Sequence, residues 1–141
     1  MTCAASPPPY DPAADGWIRH VDDGFIEWVG PIWEKRDESG LRFGFLADAR
    51  HRNRSGVVQG GMLATLADRA MGVTARGGED HRQATIQLSL AYVASAAIGE
   101  FVEARCEIIR RTRSVIFMSA TLASNGRIVA TASGVWKIKG R

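Results

Sequence analysis

The chain contains one long helical stretch. In its other regular segments, apolar and polar residues alternate with a period of two. From Met62 to about Arg76, apolar residues recur every three or four positions, which covers one face of an α-helix. They are Leu63, Leu66, Ala67, Ala70 and Val73. Gly60-Gly61 precedes the stretch and Gly77 follows it. A single long helix among strands excludes the repeated strand–helix alternation of a doubly wound nucleotide-binding sheet.

The segments on either side of the helix predict an antiparallel sheet. Before the helix we expect a short helix over residues 17–21, a charged turn over 34–40, and strands over 25–33 and 41–46. After it we expect four strands in a meander, over residues 84–93, 101–109, 115–123 and 128–138. Asn125-Gly126, between the last two, is typical of a tight hairpin. The predicted fold class is α+β, an antiparallel sheet holding one central helix.

The first strand after the helix has a regular alternation. Its period of two places one set of side chains on an apolar face, namely Ile86, Leu88, Leu90 and Tyr92. Thr85, Gln87 and Ser89 are then predicted on the opposite, polar face.

The second side of the helix carries small residues and one acid, at Ala64, Asp68, Gly72 and Ala75. A solvated helix face normally carries several Lys, Glu or Arg residues. We therefore expect this strip to be covered, and a second subunit is the simplest cover.

Length and composition predict one soluble domain over residues 1–141, with a loose proline-rich tail over 1–16. No apolar run approaches the roughly 20 residues of a membrane span, and the N-terminus lacks the pattern of a signal peptide. Cys3 and Cys106 do not have the spacing of a disulfide framework or a metal site, which favours a reducing cytoplasm. The three histidines, His20, His51 and His81, also lack metal-ligand spacing, so no metal is predicted.

The formal charge of +3 is a mild basic bias. Basic residues are scattered apart from Arg110, Arg111 and Arg113, and no nucleic-acid recognition motif accompanies them. This cluster fits a solvated turn or, in a functional interpretation, a contact for a phosphorylated small ligand.

The segment from Asn53 to Asp68, NRSGVVQGGMLATLAD, resembles the signature of the phenylacetate-pathway (PaaI-type) thioesterases of the hotdog fold. The family pattern runs Asn, a short loop with Gly, His-Gly-Gly, and then a helix with an acid. Asn53, Gly56, Gly60, Gly61 and Asp68 match it in identity and spacing, and the resemblance covers about residues 24–138. It implies a hotdog fold, in which an antiparallel sheet wraps around one long helix.

The resemblance also implies an acyl-CoA thioesterase, which hydrolyses a thioester to a carboxylic acid and free coenzyme A without a cofactor. Asp68 would be the general base or the nucleophile, and its position on a poorly charged strip agrees with such a role. The backbone N–H at Gly60 would form an oxyanion hole, since N–H groups at a helix start lack internal acceptors. Asn53 would position water or the thioester, or only close its own loop.

Two further positions belong to this predicted catalytic set. Thr85 lies where the family often has Ser or Thr near the acid, although it also fits an ordinary strand threonine. Gln59 replaces the family's His, and glutamine forms hydrogen bonds but carries no proton near neutral pH.

Substrate contacts and assembly follow from the resemblance as well. Coenzyme A carries phosphates, for which Arg76, Arg110, Arg111 and Arg113 are candidate ligands, and Gly61 is expected beside the substrate. Hotdog sites are built between two protomers, so a homodimer or a tetramer is expected.

Three alternatives remain. A hydratase or dehydratase of the same fold pairs an Asp with a His, and Gln59 stands at the matching position. A protein that binds acyl-CoA without hydrolysing it would also fit Gln59. A purely structural oligomer has no specific feature in its favour.

Overall fold

The computed structural model describes residues 6–139, and Cys3 lies outside them. The elements, in chain order, are β1 (Ile18–Arg19), α1 (Gly24–Val29), β2 (Trp33–Asp37), β3 (Gly40–Leu46), α2 (Gly60–Arg76), β4 (Arg82–Tyr92), β5 (Phe101–Arg111), β6 (Val115–Ser124) and β7 (Arg127–Lys139). Short 3-10 turns lie at Ala13–Asp15 and Ala49–His51. Within the described range, no helix has the length and apolarity to cross a membrane.

The strands form one seven-stranded antiparallel sheet in the order β1-β2-β3-β5-β6-β7-β4. The predicted four-stranded meander is wrong, because β4 pairs with β7 and not with β5. After β4, the backbone of Gly99 and Glu100 hydrogen-bonds to Ala47, just past the end of β3. This contact starts β5 beside β3, so β4 is left as an outer strand. The Asn125-Gly126 hairpin is confirmed, with φ of 50° and 73°.

The sheet curves around α2, which confirms the predicted architecture of one central helix. The buried side of α2 includes Leu63, Leu66, Ala67, Ala70 and Met71. They pack on buried residues of the sheet, among them Phe43, Phe45, Val102, Ile116, Met118 and Leu122. The helix begins two residues before the predicted start and ends at the predicted residue.

The N-terminal predictions are wrong in two places. Residues 18–19 form a short strand where a helix was expected, and residues 24–29 form α1 where a strand was expected. The aromatic residues of 25–33 favour a strand locally. The carboxylate of Asp23 nevertheless accepts a hydrogen bond from Gly24 N and caps α1, and Gly30 N–H bonds Ile26 O at its end. The predicted charged turn over 34–40 is mostly strand, since β2 extends to Asp37.

The small strip of α2 is partly covered by the chain itself. Thr85 bonds Asp68, the indole of Trp136 lies against Gly72, and Ala75 is fully buried. The chain itself therefore covers part of this strip, and Ala64, Asp68 and Gly72 are only half-buried, so a second subunit as the cover of the remainder stays a prediction. The helix needs small residues here because β4 and β7 curl over it.

The predicted tail is in contact with the domain from Tyr10 onward. The ring of Tyr10 lies 5.1 Å from that of Phe101, and the buried ring of Trp17 lies 4.8 Å from it on centroid distances. These contacts place residues 10–17 beside the start of β5.

Leu66 provides a test of the helix–sheet contact, since its side chain is fully buried between α2 and the sheet. Leu66→Ala should lower the free energy of unfolding by about 2–5 kcal/mol, because it removes apolar contacts and leaves a cavity. Thr65→Ala, at a half-buried neighbour, is the control and should change stability by roughly 0.5 kcal/mol or less. Urea titration followed by circular dichroism measures both; equal losses would contradict this packing.

Candidate active site

Asp68 and Thr85 form a hydrogen-bonded pair between α2 and β4. The Thr85 hydroxyl donates to Asp68 Oδ1 at 2.7 Å. Asp68 is half-buried, and the pair opens onto a cleft of about 360 Å³ along the second half of α2. The cleft is also lined by His20, Arg69, Gly72, Val73, Arg76, Gln83 and Trp136. A carboxylate held at one oxygen in an open cleft can act as a base or as a nucleophile.

Thr85 reaches Asp68 because β4 contains a bulge. The pairing of β4 with β7 shifts between Thr85 and Gln87. As a result, Thr85 points to α2, and Leu88 and Leu90 also pack toward the core. Ile86 is 57% exposed. The predicted opposite faces for Thr85 and the leucines are therefore wrong, since one extra residue in a strand reverses its alternation.

The floor of the cleft consists of residues that the sequence analysis did not identify. Trp136 is buried, and a Cβ at residue 72 would lie 3.2 Å from its indole nitrogen. Gln83 Nε2 donates to the carbonyl of Gly72 at 2.6 Å. Gly72 is thus required by the close approach of β7 to the helix. In the sequence, only the glycine at position 72 indicated this close approach.

A charged network forms the rim of the cleft. The imidazole of His20 hydrogen-bonds the carboxylate of Glu34, and its Nδ1 lies 3.9 Å from Asp22 Oδ2. The other oxygen of Asp22 forms an ion pair with the guanidinium of Arg69, the residue after Asp68. Asp22 Oδ2 and Arg69 Nε are buried and lack a hydrogen-bond partner among residues 6–139. The sequence analysis considered His20 only as a metal ligand and did not place it here.

A second cleft, of about 370 Å³, lies at the first turn of α2 and contains Asn53, Gly60 and Tyr92. Asn53 Oδ1 accepts from Ser55 N and Val57 N at 2.9 and 3.2 Å, so the side chain closes its own loop, which was one of its two predicted roles. The Gly60 carbonyl accepts from the Tyr92 hydroxyl at 2.8 Å. The backbone N–H of Gly60 has no acceptor in the part of the chain that the structure describes.

Gln59 and Gly61 frame this helix start. Gln59 is the N-cap residue; its side chain makes no capping hydrogen bond and is exposed. Its backbone N–H donates to His51 O at 2.7 Å, which fixes the loop against the helix. Gly61 is exposed, and its carbonyl accepts from the hydroxyl of Thr65.

The four predicted arginines do not form one group. Arg76 lines the Asp68 cleft. Arg111 donates to Ala75 O at 2.6 Å and so holds the last turn of α2, and with Arg113 and Lys139 it lines a separate cleft of about 680 Å³. Arg110 lies in β5 opposite Phe117 and lines neither of these clefts.

The predicted site thus divides into two sets within one protomer. Asp68, Thr85 and Arg76 lie together, and Asn53 and Gly60 lie together. Gly60 and Asp68 are eight residues apart on one helix, so about 12 Å of helix axis separates them. Both cannot contact one reacting carbonyl from the same chain.

Thiol and metal chemistry find no support in the described residues. Burial raises the pKa of Cys106 to about 12, against an opposing hydrogen bond from Thr74, so the thiol stays protonated at neutral pH. Across residues 6–139, no group of three or more His, Cys, Asp or Glu side chains is arranged to hold a metal ion.

Comparison with known proteins places this geometry in a family. The model of the thioesterase superfamily matches residues 55–131. A curated relative from Pseudomonas aeruginosa, named "Putative esterase PA0474", is 30% identical over 116 residues, which are 80% of this chain and 87% of that protein.

Two solved structures show the fold. A variant of the phenylacetic acid degradation protein PaaI from Thermus thermophilus matches with a TM-score of 0.73 and 22% identity, over 82% of this chain and 98% of that one. The BH2602 protein of Bacillus halodurans, solved with CoA, matches with a TM-score of 0.71 and 22% identity, over 77% of this chain and 74% of that one. The predicted hotdog fold is confirmed.

The Asp22–Arg69 ion pair should hold the segment before α1 on the cleft rim. Asp22→Asn leaves the guanidinium with a weaker partner and should cost about 1–3 kcal/mol of stability. Asp23→Asn is the matched control, because asparagine caps a helix as well as aspartate does. Urea unfolding gives the stability, and amide exchange over residues 20–27 locates the loss. Equal effects of the two changes would disprove this role.

Proposed function

The chain belongs to the thioesterase superfamily, and from this premise we propose that it hydrolyses acyl-CoA thioesters to a carboxylic acid and free coenzyme A, with Asp68 as the catalytic carboxylate. The observation that supports this most directly is the Asp68–Thr85 pair, which opens onto a cleft.

The pair accounts for the first chemical step. The Thr85 hydroxyl occupies Asp68 Oδ1, so Oδ2 can receive a proton from an attacking water or attack the carbonyl carbon itself. In the base route, water attacks the carbonyl carbon, the tetrahedral centre collapses with cleavage of the C–S bond, and the thiolate takes up the proton that Asp68 received from the water. In the nucleophilic route, Asp68 displaces the thiolate, which takes a proton from solvent, and a water molecule then hydrolyses the resulting mixed anhydride to the carboxylic acid and free Asp68. Single-turnover hydrolysis in ¹⁸O-labelled water separates the routes, because only the covalent route can leave the label on Asp68.

The oxyanion donor would come from a second protomer. Within one chain, Gly60 and Asp68 are about 12 Å apart along the helix axis. A two-fold dimer that sets two α2 helices antiparallel would bring the Gly60 N–H of one protomer to the Asp68 cleft of the other. The same arrangement would add Asn53 to the site. We propose a homo-oligomer with this shared site.

Coenzyme A would bind through its phosphates to arginines near the cleft. Arg76 lies in the Asp68 cleft, and Arg113 and Lys139 lie in the neighbouring one. These cations are suited to phosphate oxygens. Arg111 already bonds the end of α2, so its first role is structural. The BH2602 protein, which shares the fold, was solved with CoA.

A second candidate function is acyl-CoA binding without hydrolysis. Gln59 favours it, because its side chain stands at the helix start and cannot carry a proton near neutral pH. Binding of acyl-CoA with no thiol release would establish this function.

Thiol release from a panel of acyl-CoA esters tests the catalytic proposal. Asp68→Asn should lower the rate on the preferred ester by on the order of a hundredfold or more, because the amide is not a base. Thr85→Val, which loses only the hydroxyl, should lower it by about tenfold. Asp80→Asn, in the exposed turn after α2, is the control and should match the wild type. A folded Asp68→Asn protein with full activity would rule out Asp68 as the catalytic acid.

Mixing two inactive variants tests the shared site. Gly60→Pro removes the N–H at the first helical position, where proline is tolerated. Because a Cβ there would lie 3.0 Å from the Tyr92 ring, Tyr92→Ala measures how much activity is lost when that side chain and its hydrogen bond to the Gly60 carbonyl are removed. Refolding equal amounts of Gly60→Pro and Asp68→Asn should restore about a quarter of wild-type activity, since half of the dimers then hold one intact site. No recovery, with mixed dimers verified by mass spectrometry, would rule out a site that combines Gly60 of one protomer with Asp68 of the other.

A further inference from the structure

The cleft at the first turn of α2, named the Gly60 cleft from here on, has walls without charge. Among the described residues that line it, none is an acid, a base or a histidine. They include six aliphatic side chains: Val57, Val58, Leu63, Val93, Ala94 and Ala96. Val58, Leu63 and Ala96 are each at most 5% exposed and belong to the hydrophobic core, so they form the floor of the cleft.

Two polar side chains of the Gly60 cleft already have hydrogen-bond partners. Asn53 Oδ1 accepts from two backbone N–H groups of its own loop, and the Tyr92 hydroxyl donates to the Gly60 carbonyl. The cleft therefore offers a ligand mainly apolar area. A hydrocarbon group suits such walls, because burying apolar area is favourable.

The Asp68 cleft suits a hydrocarbon less well, although it has apolar walls of its own. Val73 is one of them, and Trp136 is another but is only 2% exposed. Between them lie the ionisable side chains of Asp68, Arg69 and Arg76. A hydrocarbon there would displace water from these charged groups, which costs free energy.

An acyl-CoA thioester has a polyanionic arm, which is coenzyme A, and an acyl arm. In the proposed shared site, its carbonyl lies between the Gly60 N–H of one protomer and the Asp68 carboxylate of the other, so the two arms leave in different directions. The cations lie on the Asp68 side, with Arg76 in that cleft and Arg113 and Lys139 in the neighbouring one. Charge complementarity thus assigns coenzyme A to the Asp68 side, which leaves the Gly60 cleft for the acyl arm.

We propose that the Gly60 cleft binds the acyl group, so that one protomer holds the acyl half of the substrate and its partner holds coenzyme A. This inference rests on the proposed thioesterase function and names its substrate class. The cleft volume of about 370 Å³ is at the small end of the roughly 300–1,000 Å³ of small-molecule sites. Its floor belongs to the packed core and cannot recede. The enzyme is therefore selective for short and medium-length acyl groups.

Hydrolysis of acetyl-, butanoyl-, hexanoyl-, octanoyl- and dodecanoyl-CoA tests this selectivity. The kcat/KM should rise by about threefold for each CH₂ group that enters the cleft. It should stop rising before dodecanoyl-CoA, because the cleft is then full. A rise that continues through dodecanoyl-CoA, or a preference for acetyl-CoA, would overturn the proposal.

Substitutions in the two clefts show which of them holds the acyl group. Ala94→Leu fills part of the Gly60 cleft and should lower the ratio of kcat/KM for hexanoyl over acetyl by about tenfold. Val93→Thr, at a 59% exposed position, adds only a hydroxyl and should lower it by about threefold. Val73→Leu narrows the Asp68 cleft instead and should leave the ratio unchanged. Ala97→Leu, exposed and outside both clefts, is the control and should match the wild type.

The opposite pattern would refute this assignment. A lowered ratio in Val73→Leu, with Ala94→Leu and Val93→Thr unchanged, would place the acyl group in the Asp68 cleft.

Mixed dimers test which protomer holds the acyl group. Asp68→Asn is refolded with a chain that carries both Gly60→Pro and Ala94→Leu, so only the mixed dimer is active. Its one intact site combines Gly60 of the first chain with Asp68 of the second. The hexanoyl-to-acetyl ratio should be that of the wild type, because the filled cleft lies in the chain that supplies only Asp68. A lowered ratio would place the acyl group on that chain and overturn the proposal.

A binding measurement separates this inference from the proposed function. Alkyl-CoA thioethers have no carbonyl to attack, and calorimetry should show tighter binding of hexyl-CoA than of methyl-CoA, a gain that Ala94→Leu should lose. That gain without hydrolysis of any ester would disprove the thioesterase function and support the acyl site. Hydrolysis of the esters without that gain would support the function and overturn the acyl site.

Discussion

The packing of α2 into the curved sheet is the contact on which the rest of the molecule depends. It buries one side of the helix completely and directs the other side toward β4 and β7. Because Trp136 and Thr85 approach that second side closely, only small residues and one short acid fit there. The same contact that stabilises the domain therefore fixes the position of the Asp68 carboxylate.

Local patterns predicted the parts of this fold that depend on period and turn chemistry. The helical spacing predicted α2, and Asn125-Gly126 predicted the last hairpin. Strand order was not predictable in the same way, because the pairing of β4 with β7 joins segments that are far apart in the sequence. It goes with the contact between Gly99 and Ala47, which starts β5 beside β3. For α1, a capping bond from Asp23 outweighed the strand preference of its aromatic residues.

The sequence predicted some residues of the candidate site, such as Asp68 and Thr85, and not their arrangement. The motif from Asn53 to Asp68 named candidate residues, yet about 12 Å of helix axis separates Gly60 from Asp68. Thr85 was identified, but its direction depends on a bulge that a period-two pattern does not show. His20, Gln83 and Trp136 come from distant parts of the chain, and only the folded sheet brings them to one cleft.

The bulge in β4 has a further consequence for the fate of the chain in solution. β4 is the outermost strand, eleven residues long, and exposed Ile86 and Tyr92 lie along it. A long, regular and apolar outer strand invites pairing with other chains and aggregation. By breaking the regular ladder between Thr85 and Gln87, the bulge twists this edge locally and makes it a poorer template. The irregularity beside Thr85 thus also interrupts the edge that a further strand would have to extend.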